Sequence, residues 1–193
     1  LLDIFGNYGH KWGRHDFSVM GGYGWQHFWK KYNATFNDTY GEELSSPTHY
    51  ESEYYLLSLY GRVNYSFDNR YLVTATLRAD ASSRFSKDNR WGYFPSVALA
   101  WRVIEEDFMK EQDVMSDFKV RVGYGVTGQQ DIGNDYPWMT TFSVSYPESM
   151  YLFGNEWYKM YRPNGYDSDI KWETTTTWNA GIDFGFLQNR IFG

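Results

Sequence analysis

Residues 78–102 read RADASSRFSKDNRWGYFPSVALAWR, and in this stretch two segments of alternating character flank a polar loop. In the second segment, apolar side chains occupy every other position, and small or charged side chains fill the positions between them. The apolar set is Val97, Leu99, Trp101 and Val103, and the intervening set is Ser96, Ala98, Ala100 and Arg102. Successive side chains of a β-strand point to opposite faces, so this two-residue period predicts strands.

The same alternation recurs along the chain and predicts about seven strands. They cover approximately residues 1–8, 16–26, 57–67, 71–80, 91–103, 118–127 and 178–186. Matching apolar faces across the turn at 68–70 requires Phe67 to pair with Tyr71, and Asn69 suits the left-handed residue such a loop needs near its end. The Gln188-Asn189-Arg190 sequence predicts a second turn of this kind, and residues 105–109 are compatible with one short helical turn.

Short and long connections alternate along the predicted strands. Short connections fall at 9–15, 68–70 and 187–190, a medium one at 104–116, and long ones at 27–53, 80–92 and 128–173. Aromatic residues of the apolar face gather at the short-turn ends, at Phe17, Tyr65, Phe67, Tyr71, Trp101, Phe118, Phe184 and Phe186. This pattern is typical of transmembrane β-barrels, which have short periplasmic turns, long extracellular loops and aromatic girdles. We therefore predict an all-β chain that forms part of a large antiparallel transmembrane β-barrel.

The alternating pattern also predicts which side chains contact lipid. They are Leu57, Leu59, Val63, Val73, Leu77, Val97, Leu99, Val120, Val122 and Ile182. A soluble carbohydrate-binding β-sandwich remains the alternative, because its strands would alternate too and its surface would suit an aromatic content of 21%.

Composition excludes several classes of function. The net charge of −6 argues against nucleic acid as a partner, and the absence of cysteine excludes thiol catalysis and thiolate metal sites. The four histidines have no metal-ligand spacing, and the acidic residues around Gly133 lack the complete calcium-loop pattern. No nucleophile–base arrangement is apparent. We predict neither an enzyme nor a protein that binds a metal or cofactor.

Five ordered motifs carry a resemblance to a known family. They are Asp80–Phe85, Arg90–Ser96, Tyr124–Gln129, Lys171–Thr175, and Asn179–Phe184 followed by Asn189-Arg190. With these motifs, the chain resembles the SusC/RagA-like TonB-dependent transporters of Bacteroidetes outer membranes. The resemblance spans about residues 54–191. It departs from the usual pattern at Ala81, where glycine is common, and at Gln130, where Gly-Asn-Gln is more usual.

The resemblance implies an architecture and a function. The barrel would have roughly 22 strands around a plug domain, with about seven of the strands in residues 1–193. The plug and the TonB box are expected outside this chain, so TonB contact would pass through a missing N-terminal part. The implied role is import of nutrients such as oligosaccharides or peptides across the cell outer membrane, beneath a SusD-like lipoprotein lid, with the barrel surrounded by outer-membrane lipid.

Two groups of residues are candidate contact sites. The small, polar inward face also carries charges at Arg62, Arg78, Asp80, Arg121 and Asp183, which would either pair with the plug or be solvated in the lumen. The long 128–173 loop carries aromatic rings at Trp138, Tyr151, Trp157, Tyr158 and Tyr161. These rings would contact ligand or lid, or pack the loop against itself. Arg84 is expected to fix a loop through a carboxylate pair.

Overall fold

A computed structural model describes residues 1–35, 40, 48–133, 135–144, 150–188 and 190–193. Its main sheet contains eight strands, and every pair of neighbouring strands is antiparallel. In spatial order they are β1 (Leu2–Trp12), β2 (His15–Ala34), β3 (Thr48–Phe67), β4 (Tyr71–Ser82), β5 (Trp91–Arg102), β6 (Met115–Gln129), β11 (Glu173–Phe186) and β12 (Ile191–Phe192).

Two small hairpin-like sheets occupy the connection between β6 and β11. One pairs β7 (Phe142–Val144) with β10 (Tyr161–Pro163), and the other pairs β8 (Met150–Phe153) with β9 (Glu156–Lys159). Two 3₁₀ turns, Val103–Glu105 and Asp107–Met109, follow β5 where one short helical turn was predicted. No helix in the described ranges is long and apolar enough to cross a membrane. The all-β prediction is confirmed, and the seven predicted strands all lie in the main sheet.

The first turn is shorter than the sequence indicated. The prediction of a turn over residues 9–15 is wrong, because β1 continues to Trp12 and pairs there with His15. Only Gly13 and Arg14 form the turn, with Gly13 at φ 57°. Three stacked ring pairs along Tyr8, His10, Trp12 and His15 pack side by side on the outward face and favour the extended chain.

The predicted register between β3 and β4 is confirmed, since Phe67 pairs with Tyr71. The left-handed residues are Asp68 at φ 53° and Asn69 at φ 56°, so they come first in the loop rather than at its end. Leu187 and Gln188 repeat this pair of positive φ angles. That second turn is one residue longer, because Phe186 pairs with Ile191, and Asn189 lies outside the described residues.

Val103 does not belong to the outward apolar set, so this part of the prediction is wrong. The chain leaves the extended conformation at Arg102, and Val103 begins a 3₁₀ turn in which it is only 5% exposed. Side chains alternate between faces only while the backbone stays extended. The residues predicted to contact lipid, which did not include Val103, are exposed or half-buried on the outward face.

The aromatic residues predicted at the short-turn ends, which include Tyr71 and Trp101, form the first belt of the outward face. The outward face also carries a second aromatic belt, which the sequence analysis did not predict. It lies at the long-loop end and contains Tyr23, Trp25, Tyr55, Trp91, Tyr93, Tyr124 and Trp178. Tyr71 pairs with Trp101 in the first belt, and Ala79 pairs with Tyr93 in the second, eight residues further along β4. Eight residues span about 26 Å, or about 20 Å in height at a typical barrel tilt. The apolar band between the belts therefore has a height suited to a bilayer core.

A carboxylate joins the short turns to the first belt. Glu106 accepts hydrogen bonds from the Tyr71 hydroxyl at 2.6 Å and the Trp101 indole at 3.0 Å, and it pairs with Arg70 at 3.2 Å. These hydrogen bonds, with the charge of Arg70, hold the pKa of Glu106 below its ordinary value. The turn at 103–109 thereby orients the polar edges of Tyr71 and Trp101 at the short-turn end of the sheet, which we call the rim.

We expect Val97→Arg to destabilise the folded protein by about 2–4 kcal/mol in a bilayer, because Val97 lies midway between Trp101 and Tyr93 and the substitution places a charge at mid-height of the apolar band. The measurement is denaturant unfolding of the full-length protein in phospholipid vesicles. Val97→Ala is the control, since it removes apolar contacts without adding a charge. Equal costs for both substitutions would contradict a lipid-facing position.

We expect acidic pH to weaken the contacts that Glu106 makes with Arg70, Tyr71 and Trp101. Because its pKa is lowered in the folded state, its stabilisation is fully present above the ordinary pKa and is lost as pH falls through the lowered value. Unfolding free energy in vesicles, measured from neutral to acidic pH, should fall less steeply for Glu106→Gln than for the unmodified protein. Parallel pH profiles would show that the Glu106 contacts contribute nothing.

Candidate functional site

The inward face is built from small residues that leave room for larger side chains of the neighbouring strand. Tyr60 lies over Gly22, and its hydroxyl donates a hydrogen bond to Asp3 at 2.7 Å. A side chain added at Gly22 would collide with the Tyr60 ring, and one at Gly123 would collide with the Asn179 amide. The glycines of this face therefore accommodate polar groups that lie flat along the wall.

All five charged residues predicted for this face lie on it. Arg78 Nε contacts both carboxylate oxygens of Asp80, at 2.9 and 2.7 Å, and Arg78 Nη2 donates to the Ser58 hydroxyl at 3.0 Å. Asp80 and Ser58 are buried, whereas the Arg78 side chain is partly exposed. The guanidinium is thus fixed in direction while it still faces the open side of the wall.

A second charged group lies nearer the short turns. Asp183 pairs with Lys119 at 2.7 Å and with Arg121 at 2.5 Å. Arg62 stands apart from both groups and donates to the Thr76 hydroxyl at 3.4 Å. The structure therefore divides the five predicted residues among three places and does not gather them into one site.

An apolar cluster covers the inward face at the long-loop end. This loop core consists of Leu56, Phe85, Phe94 and Trp172, and Phe85 is completely buried. The Trp172 ring lies 5.3 Å from both Phe85 and Phe94, and its indole donates to the Arg90 carbonyl at 2.9 Å. Residues from β3, β5 and two loops meet here, so the cluster joins four separate parts of the chain.

Arg84 and Asp135 form an ion pair beside the loop core, which we call the latch. The Arg84 side chain is 3% exposed and lies 2.9 Å from the Asp135 side chain, which is 5% exposed. Asp131 lies 3.4 Å from Arg84, at the surface. The guanidinium also donates to the Gln130 carbonyl at 3.0 Å and lies over the Tyr54 ring. The predicted carboxylate pair is present, and it joins the 83–90 loop to the start of the long loop.

The same carboxylate reaches the β2–β3 hairpin. Asp135 accepts a hydrogen bond from the Ser52 hydroxyl at 2.6 Å. Tyr136 contacts the Glu53 carbonyl, and its hydroxyl lies 3.3 Å from Ser83. Arg84 thus contacts both acidic side chains near Gly133, which are Asp131 and Asp135. The described parts of the chain contain no cluster of three acidic or histidine side chains able to hold a metal ion.

A niche of about 500 Å³ opens on the inward face beneath the loop core. Phe94, Trp172 and Leu56 form its apolar side, and Arg78 and Asp80 form its charged side. Gln129 and Gln130 add amide groups at its edge. Flat rings beside fixed hydrogen-bonding groups suit a ligand or segment with both polar and apolar surfaces.

The five predicted loop aromatics do not form one pocket. Tyr151 and Trp157 lie on the β8–β9 hairpin together with Tyr158, which pairs with Tyr151. Tyr161 lies on β10, and these four rings are exposed, whereas Trp138 is half-buried in a turn. Most of these rings are therefore open to the surroundings, with Tyr151 and Tyr158 on one face of the hairpin and Trp157 on the other.

The loop core was missed by sequence reasoning. Leu56 and Phe94 fall at inward positions, where the alternating pattern predicts polar residues. The glycine at position 92 is a local indication of this packing, because a side chain at that position would collide with Phe94 and with Trp172. The partners of these residues come from loops, and their approach depends on the tertiary structure.

Comparisons with known proteins agree with this architecture. Residues 2–193 match the family model described as TonB dependent receptor-like, beta-barrel. The chain is 45% identical, over 99% of its length, to the TonB-dependent receptor SusC of Bacteroides thetaiotaomicron, and 30% identical, over 99%, to the TonB-dependent receptor P3 of Formosa agariphila. It spans 20% of the length of each of these relatives.

Solved structures show the same fold. A structure of the RagAB peptide transporter superposes with a TM-score of 0.80 at 24% identity, over 98% of this chain and 22% of that one. The RagAB peptide importer in its open-open state gives 0.79 at 26% identity, over 98% and 22%. The barrel prediction is confirmed, and the soluble β-sandwich alternative is wrong. The matched proteins are receptors and transporters rather than enzymes.

We expect Arg84→Met to detach the start of the long loop, because it leaves the buried Asp135 carboxylate without its cation. Breaking such a pair costs about 3–5 kcal/mol. Hydrogen exchange of residues 130–136 in the full-length protein should accelerate strongly. Asp131→Asn, which alters the exposed partner, should change exchange little. Arg84→Met combined with Asp135→Leu should recover part of the protection, and a failure to recover would show that packing dominates.

Proposed function

The chain belongs to the TonB-dependent receptor β-barrel family, and from this premise we propose that it is part of the wall of an outer-membrane importer of nutrients such as oligosaccharides or peptides. The observation that carries the proposal is the niche beneath the loop core, which opens on the inward face. A cargo passing along the inside of a barrel would meet this niche.

The charged inward residues are proposed to contact the plug domain. Arg78 is held in a fixed direction by Asp80 and Ser58 and remains partly exposed, which suits a contact with an acidic group or a carbonyl of the plug. Arg62 lies further along the same wall. The relatives are about five times longer than this chain, which supports placing the plug and the TonB-contacting segment in other parts of the full-length protein.

The exposed loop aromatics are proposed to contact cargo or a SusD-like lipoprotein lid. They are Tyr151 and Tyr158 on one face of the β8–β9 hairpin, Trp157 on its other face, and Tyr161 on β10. Rings with a polar edge stack on sugars and on peptide side chains alike. The long loops are proposed to be extracellular and the turn at 68–70 periplasmic, as in outer-membrane barrels generally.

We expect Tyr151→Ala combined with Tyr158→Ala to reduce uptake of the cognate nutrient, or retention of the lid, about tenfold. These two rings pair across the hairpin on one of its faces and provide a joint stacking surface, and their removal should leave the strand ladder intact. Uptake of labelled nutrient by cells and co-purification of the lid are the measurements. Tyr93→Ala is the control, since it removes an equally exposed ring from the outward face. Unchanged uptake and unchanged lid retention would refute a role for this surface.

A further inference from the structure

The β2–β3 hairpin extends well beyond β4 at the long-loop end. Pairing of β3 with β4 ends at Leu56–Ser82. β2 and β3 continue to pair with each other from His27–Tyr55 to Ala34–Thr48. This two-stranded ribbon is about 25 Å long at the usual rise per residue.

One face of the ribbon is already occupied. Phe28 stacks on Tyr54 at 4.6 Å, and Lys30 lies over the same ring. The Ser52 hydroxyl donates to Asp135 in the latch described above. These contacts hold the ribbon against the loops and leave its opposite face to the surroundings.

The opposite face carries an ordered row of rings and carboxylates. This outer row consists of Trp25, His27, Trp29, Glu51, Glu53 and Tyr55. His27 stacks on Tyr55 at 4.6 Å with 10° between the rings, and its Nε2 lies 3.2 Å from Glu53. The Trp29 indole donates to Glu51 at 2.7 Å while the residue remains 62% exposed. The rings are thus fixed in orientation before any ligand arrives.

We propose that the outer row binds the saccharide headgroup of a glycolipid in the outer leaflet of the membrane. Flat rings offer stacking surface to the C–H face of a sugar, and carboxylates beside them accept hydrogen bonds from sugar hydroxyls. Among the described residues of this face, Lys31 is the only permanent cation, and the imidazoles of His27 and His49 lie beside Glu53 and Glu51. The row therefore suits the neutral sugar units of a headgroup rather than its phosphate groups.

The position of the row selects a membrane lipid over a soluble cargo. Trp25 belongs to the second aromatic belt, and its ring lies 6.0 Å from Tyr55 and 6.2 Å from His27. The row thus begins at the upper edge of the apolar band and continues outward on the same face. A headgroup whose acyl chains lie against that band would reach the row directly, whereas the inward niche lies on the other face of the sheet.

The test measures retention of lipopolysaccharide by the full-length protein. The protein is reconstituted in nanodiscs of phosphatidylglycerol and phosphatidylcholine with added lipopolysaccharide, released into mild detergent and examined by native mass spectrometry. Trp29→Ala combined with Glu51→Gln should reduce bound lipopolysaccharide about three- to tenfold. Tyr32→Ala is the matched control, since it removes an exposed ring from the occupied face of the same ribbon.

A second measurement guards against simple unfolding of the ribbon. Hydrogen exchange of residues 27–33 should slow when lipopolysaccharide is added to nanodiscs of the unmodified protein, and the double variant should lose this slowing while it keeps its exchange rate in plain phospholipid. Equal retention by the double variant and Tyr32→Ala would overturn the proposal. Equal protection in plain phospholipid would overturn the assignment to a glycolipid headgroup.

Discussion

The whole structure depends on an unbroken antiparallel ladder of backbone hydrogen bonds from β1 through β6 to β11. Within a bilayer, water cannot satisfy a backbone N–H or C=O group, so a strand must find its partners in neighbouring strands. The register Phe67–Tyr71 and the register Tyr71–Trp101 carry this ladder across consecutive hairpins. Because the pairing is continuous, each strand is fixed in height relative to the next, and side chains from different strands form belts.

The ladder also creates two surfaces with different chemistry. The outward face presents Val97, Leu99 and Val122 between two aromatic belts, and the inward face presents small residues over which Tyr60 and Asn179 lie. A continuous apolar face between two aromatic belts suits contact with lipid, whereas the inward side chains satisfy one another by hydrogen bonds and ion pairs. The rim carboxylate Glu106 links the turns to the outward face, since it is bonded to belt aromatics.

At the long-loop end, the inward face carries buried apolar side chains instead of polar ones. Leu56 and Phe94 lie on the inward face, yet they are buried, because Phe85 and Trp172 arrive from loops and cover them. The Arg84–Asp135 pair beside them ties three connections together. A long loop would otherwise move independently of the wall, so this anchorage fixes Gln130, Asp131 and Asp135, at the start of the long loop, against the wall.

The sequence by itself determined the class of fold, the pairing of Phe67 with Tyr71 and the outward position of residues such as Leu99. Each of these follows from a two-residue period, which needs no knowledge of distant contacts. The tertiary structure alone decided that Leu56 and Phe94 are buried, that Asp135 is the buried partner of Arg84, and that Val103 leaves the strand. Burial of Phe94 and of Asp135 depends on loops that meet across more than forty residues of sequence, and a local period carries no information about such contacts.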